Sequence, residues 1–171
     1  MAQKDTQDGI ALLKQDHREV EELFSKFEKA KGASQKQKLA EQICKELSIH
    51  AKIEEEIFYP ACEGAVEADL LEEAYVEHDG AKVLIAEIEA GGPDEAFYDA
   101  KVKVLSEMIE HHVEEEEKRV EGMFSQARKA GLDMKELGER MAAEKEKLQA
   151  SYQPGALPRP ETPSLSGTKL A

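Results

Sequence analysis

Hydrophobic residues recur at steps of three and four along most of the chain, and polar residues fill the positions between them. This rhythm is typical of helices that bury one face in a bundle. Glycines at positions 32, 64 and 91–92 divide the pattern into four long segments. The pattern therefore predicts an all-α fold, an up-down-up-down antiparallel four-helix bundle. The four predicted helices span about residues 8–30, 35–62, 69–91 and 93–130.

Beyond the bundle, the pattern predicts one short helix and a tail. Asp133 with Glu136 can cap a fifth, C-terminal helix over about residues 134–150. Four of the six prolines follow that helix, mixed with Ser, Thr and Gly. This composition offers no apolar periodicity, so residues 151–171 are expected to form a disordered tail. The predicted boundaries are therefore 1–150 for the bundle, with its core at 8–130, and 151–171 for the tail.

The second predicted helix places ionisable side chains on its buried face. Its apolar positions run through Ile43 and Leu47 and resume at Ile57 and Ala61, and His50 with Glu54 fill the gap in the same rhythm. An unpaired charge in the core of a bundle is costly. A metal ion is therefore expected to satisfy these two side chains.

The other three long helices carry the same feature. Each places one histidine in its apolar seam, and the fourth also places a glutamate there. Counted from the turns, histidines of successive helices differ in depth by roughly 4–9 Å, at about 1.5 Å per residue. Six side chains are therefore predicted to meet in one layer inside the bundle. They are His17, His50, Glu54, His78, His112 and Glu116.

The individual signals in this set are weak. A single histidine in a core is more often hydrogen-bonded than metal-bound, and a glutamate four residues after a histidine also occurs at Glu21 and Glu115. The concurrence of four seam histidines and two seam glutamates favours a metal site, because charged residues are rarely buried. Of the two adjacent histidines, His112 falls in the three–four rhythm of buried positions and is the predicted ligand, whereas His111 falls on the neighbouring row of the helix surface.

The donor set limits the choice of metal. Four imidazoles and two carboxylates exceed the ligands of one structural zinc, and they are too rich in nitrogen for calcium or magnesium. They suit two ions bridged by the glutamates. Mixed imidazole and carboxylate ligation favours iron, with manganese or zinc as alternatives. Two carboxylates leave such a pair short of negative charge, so a bridging oxide or hydroxide is expected.

Charge and composition narrow the setting in which the protein acts. The formal net charge of −14 disfavours nucleic acid and anionic membranes as partners. No apolar run reaches the roughly 18 residues of a membrane span, and the polar start lacks the apolar core of a signal peptide. Cys44 and Cys62 lie too far apart on one helix to form a disulfide. These features predict a cytoplasmic protein with two free thiols.

The ordered histidine motifs resemble the haemerythrin-like, or HHE cation-binding, domain family over about residues 8–130. The resemblance implies a four-helix bundle with a non-haem di-iron centre that binds dioxygen or a related small molecule. It makes the four histidines terminal ligands and the two glutamates bridging ligands. The motifs are Asp16-His17, residues 50–55 followed by Phe58-Tyr59-Pro60, Glu77-His78-Asp79, and residues 110–116.

Two positions depart from the family pattern. Oxygen-carrying haemerythrins have a second histidine four residues after the third-helix histidine, where this chain has Lys82. One iron is therefore expected to lack a protein ligand. That disfavours reversible oxygen carriage and favours sensing or handling of dioxygen, nitric oxide, peroxide or iron. The motif at residues 110–116 also lacks an ending like Tyr59-Pro60, because Gly122 stands where that ending would fall.

Three functions stay open on the sequence alone. The first is a di-iron protein that binds or reduces a small oxidant. The second is a store or sensor of iron or redox stress that acts through protein partners, and the third is a metal-free acidic bundle that acts by protein contact. The chain has no P-loop, dinucleotide-binding turn or nucleophile motif. Enzymatic activity is therefore left open, as weak handling of peroxide or nitric oxide.

Overall fold

A computed structural model describes residues 7–153 and 162–165 of the chain. Every regular element in these residues is helical, and the predicted all-α fold class is confirmed. The elements are α1 (Gly9–Lys29), α2 (Ala33–Ile53), a π-helical turn (Glu54–Phe58), α3 (Tyr59–Cys62), α4 (Ala68–Ala90), α5 (Tyr98–Glu117), α6 (Met123–Lys129) and α7 (Met134–Ser151).

The long helices pack in chain order and form the antiparallel bundle. α1 packs against α2, α2 against α4, α4 against α5, and α5 closes the ring against α1. α7 covers one side of the bundle, where it contacts α1, α2 and the π-helical turn. Within the described residues, no helix is long and apolar enough to cross a membrane.

Two apolar clusters fill the bundle. The first gathers the start of α1, the π-helical turn, α3, α6 and α7 around Phe58. The second gathers the remaining length of the four long helices around Leu105. Burial of each such side chain contributes about 1.5–3 kcal/mol relative to exposure. The predicted histidines lie between the clusters, as His17 does between Leu13 of the first and Val20 of the second.

The second long helix contains one inserted residue. The backbone N–H of Tyr59 bonds to the carbonyl of Glu54, five residues earlier. The insertion rotates everything that follows, so Tyr59 and Cys62 are fully buried whereas Ala61 is only half-buried. The predicted extent of this helix agrees with the structure. The predicted seam position of Ala61 is wrong, because a regular α-helical rhythm does not contain the extra residue of a π-helical turn.

The fourth long helix is shorter than predicted. One helix over residues 93–130 is wrong, because α5 begins at Tyr98 and ends at Glu117, and α6 begins at Met123. Phe97 and Glu121, just outside α5 and α6, adopt left-handed conformations that a helix excludes. Residues 114–117 also place four glutamates in the last turn of α5, where the helix dipole disfavours negative charge.

Gly122 lies at the reversal between α5 and α6. A Cβ atom at this position would lie 2.4 Å from the carbonyl oxygen of Lys118. Only glycine allows this approach of the two backbone segments. Gly122, which departs from the family pattern, is therefore needed for the chain to break between α5 and α6.

The fifth helix is close to its predicted range. The side chain of Asp133 accepts a hydrogen bond from the backbone N–H of Glu136, which is the predicted cap. In the tail that follows, residues 154–161 and 166–171 lie outside the described residues, so the predicted disorder and the domain boundaries stay predictions. Residues 162–165 form a turn that contacts α4.

Both cysteines are buried free thiols, as predicted. Burial raises the pKa of Cys44 and of Cys62 to about 12. Both thiols are therefore protonated at neutral pH and unsuited to nucleophilic or redox chemistry.

Candidate metal centre

One layer of polar side chains lies between the two apolar clusters. It contains all six side chains predicted from the sequence, and every one of them is buried. α1, α2, α4 and α5 each supply a histidine, while the π-helical turn and α5 supply the glutamates. The structure thus brings the predicted set together, and its role in metal binding stays a prediction. The set is His17, His50, Glu54, His78, His112 and Glu116.

The first group of donor atoms comes from α1, α2, the π-helical turn and α5. The Nε2 atoms of His17 and His50 lie 3.1 Å apart. Glu54 places Oε1 3.1 Å from His50 Nε2, and Glu116 places Oε2 3.3 Å from His17 Nε2. The donor atoms of these four residues lie within 4.8 Å of one another. Atoms held at about 2.1 Å from a single ion are separated by roughly 3–4 Å, so the group has the size of one metal site.

The second group mirrors the first. The Nε2 atoms of His78 and His112 lie 3.1 Å apart. The other oxygen of Glu54, Oε2, lies 3.1 Å from His78 Nε2. The other oxygen of Glu116, Oε1, lies 3.2 Å from His112 Nε2. Each glutamate therefore spans the two groups, with one oxygen directed at each, as a bridging carboxylate does.

A further carboxylate stands behind each histidine. It faces the Nδ1 atom, which favours the tautomer with a proton on Nδ1 and a lone pair on Nε2 directed at the centre. The carboxylate and the histidine come from different helices, so the contact fixes the ring across the bundle. The pairs are His17 with Glu117 at 2.8 Å, His50 with Asp16 at 3.1 Å, His78 with Glu55 at 2.9 Å, and His112 with Glu77.

These outer carboxylates face basic groups in turn. Burial alone would raise the pKa of Asp16, Glu55 and Glu117, but the adjacent histidines and cations hold each pKa below its usual value. The three carboxylates therefore stay ionised and keep the imidazole rings oriented. The basic partners are Lys145 for Asp16, Lys82 for Glu55 at 2.8 Å, Arg18 for Glu117 at 2.6 Å, and His111 for Glu77 at 3.3 Å.

The centre of the layer contains acceptor atoms that face one another. Within the described residues, Glu54 Oε1 and Glu116 Oε2 are buried oxygens without a hydrogen-bond partner. They lie close to Nε2 atoms, but without the geometry of a hydrogen bond. Buried acceptors in such contact are costly unless a cation lies between them. The residues present therefore fit metal ions.

The electrostatics of the layer favour positive charge at its centre. Burial alone would lower the pKa of His50, but Glu54 and Asp16 outweigh it and raise this pKa to about 10. Burial and Glu116 would raise the pKa of Glu54, but His50 and His78 hold it at about 2. In the metal-free chain, protons on imidazoles supply the charge that cations would otherwise supply.

Tyr59 is a site residue that the sequence analysis did not identify. Its hydroxyl donates a hydrogen bond to Glu116 Oε1 over 2.8 Å and lies 3.2 Å from Glu54 Oε2. It also lies 3.1 and 3.3 Å from the Nε2 atoms of His78 and His112. These separations match those among the predicted ligands, so Tyr59 offers the second group a further oxygen donor. The π-helical turn directs it there, and no periodicity in the sequence signals such a turn.

The structure separates the two adjacent histidines of α5. His112 lies in the layer, whereas the side chain of His111 is 58% exposed and lies at the rim beside Glu73 and Glu77. This arrangement agrees with the seam phase that preferred His112.

Lys82 is not among the converging donors. Its Nζ atom pairs with Glu55 at 2.8 Å and with Asp79 at 3.1 Å. Because Glu55 faces His78, Lys82 acts on the second group through a carboxylate and not by direct contact.

A cavity of about 390 Å³ lies beside the layer. Its wall includes the four histidines and apolar side chains from all four long helices. The exposed residues Lys52 and Glu56 also line it, together with Lys82, which places its opening between α2 and α4. The cavity therefore joins this side of the bundle to the buried donors.

Comparison with known proteins identifies the family. The Hemerythrin HHE cation binding domain matches residues 8–124, more than half of the chain. The chain belongs to this family, as the sequence motifs predicted, and the family binds metal cations. The crystal structure of a hemerythrin HHE cation binding domain-containing protein from Mycobacterium kansasii is similar, with a TM-score of 0.71 and 26% identity. That similarity covers 84% of this chain and 88% of the other.

A second similarity is partial. A protein of Nostoc sp. (strain PCC 7120) named DNA nickase is 29% identical over 106 residues. The matched region is 62% of this chain but 30% of the nickase. The chain thus spans less than a third of the length of that relative.

Proposed function

We propose that this protein holds two iron ions in the polar layer and that the pair binds dioxygen or a related small oxidant, such as nitric oxide or peroxide. The main support for the proposal is that Glu54 and Glu116 each direct one oxygen at a histidine of the first group and the other oxygen at a histidine of the second. Two carboxylates shared between two donor groups suit two ions better than one. Membership of a cation-binding family supports a metal at this place.

The choice of iron rests on the chemistry of the donors. Imidazole nitrogens combined with carboxylate oxygens suit iron, and a phenol oxygen in the second group adds a hard donor that ferric iron favours. Manganese and zinc are the alternatives that metal analysis distinguishes. The ions would supply the redox chemistry, because the protein has no reactive thiol or nucleophile in the layer.

The side chains of the protein orient the donors and hold a proton. The outer carboxylates keep each Nε2 atom directed inward. Burial, and after it the charges of Glu116 and Glu54, raise the pKa of Tyr59 well above 10, so the hydroxyl keeps its proton in the metal-free chain. Through that proton Tyr59 donates a hydrogen bond to Glu116 Oε1. In the iron-loaded protein, the phenol would lose this proton if it binds an ion of the second group, and would otherwise donate a hydrogen bond to an oxygen atom of a small ligand beside it.

Each group has two imidazoles, but the second has one fewer than the pattern of the oxygen carriers, and this difference supports binding of an oxidant there. Lys82 stands where the oxygen carriers of the family have a further imidazole, and it is engaged with Glu55 and Asp79. The cavity is lined by the histidines of both groups and by Lys82. A small ligand that enters the cavity therefore meets the group with fewer imidazole donors than the family pattern provides.

DNA nicking is not part of this proposal. The nickase matches over 30% of its length, and a net charge of −14 disfavours contact with a polyanion. A store or sensor of iron that acts through protein partners is the alternative that shares the same metal centre. The unpartnered buried oxygens of Glu54 and Glu116 disfavour a metal-free interaction bundle.

The proposal is tested by exposing anaerobically iron-loaded protein to air. We expect near-ultraviolet charge-transfer absorption to develop. Glu54→Gln should reduce the iron content and this absorption together. Glu114→Gln is the matched control, because Glu114 is an exposed member of the glutamate run that contains Glu116. Iron that binds without any spectral response to air would contradict the binding of an oxidant, whereas failure to bind a transition metal would contradict the centre itself.

A further inference from the structure

Residues 162–165 lie against α4, close to the polar layer, and we term them the strap. A hydrogen bond of 3.1 Å from the N–H of Leu165 to the carbonyl of Thr162 closes their turn. Ser164 donates its backbone N–H to Oδ2 of Asp79 over 2.9 Å and donates its hydroxyl to the same oxygen. Two donors of one residue thus hold the strap on one carboxylate.

The strap docks on a buried side chain, Asp79, and not on a surface residue. Asp79 is 2% exposed, and a carboxylate so deeply buried needs partners for both oxygens. Its Oδ1 atom faces Lys82, and its Oδ2 atom receives both bonds from Ser164. Ser164 therefore completes the hydrogen bonding of a buried charge on α4.

The strap also forms part of the cavity wall. Pro163 is half-buried and lines the same cavity as His78 and Lys82. The opening of that cavity lies between α2 and α4, and Asp79 of α4 anchors the strap beside it. A chain of contacts links the strap to the metal layer, from Ser164 to Asp79, then to Lys82, Glu55 and His78.

We propose that the strap closes the cavity that leads to the metal centre, and that its release from Asp79 sets how fast a small ligand enters. Both hydrogen bonds that join Ser164 to Asp79 come from one residue and end on one oxygen, so a single substitution can disturb both. A negative charge at position 164 would face the carboxylate of Asp79 and release the strap. The closure of a path to metal ions rests on the proposed function, whereas the docking itself does not.

A fluorescent reporter tests the docking without reference to any metal. The chain has no tryptophan, and Leu165 is 53% exposed, so Leu165→Trp places one reporter in the strap without crowding. In this full-length protein, we expect the further change Ser164→Asp to raise the acrylamide quenching constant at least twofold. Ser34→Asp adds the same charge at an exposed position at the start of α2 and should change nothing. Equal quenching in the Ser164→Asp protein and its parent would overturn the docking.

The rate of azide binding to iron-loaded protein tests the closure. We expect azide to associate three- to tenfold faster with Ser164→Asp, and with a chain truncated after Gln153, than with the parent or with Ser34→Asp. Iron content should stay unchanged in all of them, because the strap supplies none of the six converging side chains. Equal azide rates in proteins with docked and released straps would overturn the closure. Failure of the parent to bind iron would instead contradict the proposed function, and the quenching result would still decide the docking.

Discussion

The hydroxyl of Tyr59 donates a hydrogen bond to Oε1 of Glu116 over 2.8 Å, at the place where the imidazoles of His78 and His112 converge. The phenol and the carboxylate come from different helices and meet because the π-helical turn rotates Tyr59 into the layer. Tyr59 is therefore placed either to bind an ion in the second group through its oxygen or to donate a hydrogen bond to a ligand beside it.

Tyr59→Phe tests this placement. The substitution keeps the ring and removes the oxygen, so the fold and an iron content of about two per chain should persist. The ferric protein should lose visible phenolate-to-iron absorption that the parent shows. Tyr75→Phe is the matched control, because the ring of Tyr75 packs edge-on against the ring of Tyr59, with 5.2 Å between the ring centroids. A visible spectrum unchanged by Tyr59→Phe would show that the phenol does not bind iron.

The neighbouring histidines of α5 provide an internal comparison. His112→Ala should lose at least half of the bound iron, and His50→Ala should lose most of it, because both rings lie in the layer. His111→Ala should retain nearly all of it, since this exposed ring lies outside the layer, beside Glu73 and Glu77. Iron analysis of the three purified variants measures the difference. Equal loss from His111→Ala and His112→Ala would contradict the assignment.

The protonation of the layer predicts how the stability of the metal-free protein depends on pH. The pKa of His50 is raised from 6.5 to about 10, so its contribution is complete below pH 6.5 and is lost as the pH rises through 10. The pKa of Glu54 is lowered from 4.5 to about 2, so its contribution is present above pH 4.5 and is lost as the pH falls through 2. Stability should therefore peak between pH 4.5 and 6.5.

Urea unfolding of metal-free and iron-loaded protein at pH 6 and pH 9 measures this dependence. The metal-free protein should lose up to about 1.4 kcal/mol per pH unit for each proton released above pH 6.5. Iron should flatten or reverse this slope, because metal ions replace the protons and bind more tightly as the pH rises. The same slope with and without iron would contradict the account of the layer.

The seam rhythm predicted the six converging side chains because each of them comes before any break in the regular period of its helix, and Glu54 stands at the first position of the π-helical turn. It could not predict Tyr59, since an inserted residue leaves no mark in a pattern of apolar steps. The outer carboxylates could not be predicted for another reason. Asp16 precedes His17 in sequence but serves His50 on the next helix, and only the packing of the bundle makes that pairing.

The end of the fourth helix shows a second limit of the sequence pattern. Apolar residues continue in near-helical rhythm through Val120 and Met123, so the pattern predicted one helix. The run of glutamates and Gly122 determine the break, and the pattern of apolar positions contains neither signal. The late start at Tyr98 matters for the site as well. Hydrogen-bonded turns take the place of the first part of the predicted helix, so His112 lies closer to the depth of the other histidines than a helix from residue 93 would place it.

Lys82 provides a test of the second group. Lys82→His adds an imidazole one turn after His78 and should prolong the spectral change produced by dioxygen and slow the consumption of peroxide, with iron content matched. Lys82→Gln removes the charge without adding a ligand and should reproduce neither effect. Equal behaviour of the two variants would show that Lys82 acts only through Glu55 and Asp79.

The most direct test of the account is the number of iron ions that one chain binds. The measurement is elemental analysis of the full-length protein after anaerobic reconstitution with iron and removal of excess metal, with protein concentration determined on the same sample. Two carboxylates shared between two groups of imidazoles predict about two iron ions per chain. Less than one equivalent of any transition metal would contradict the proposed centre.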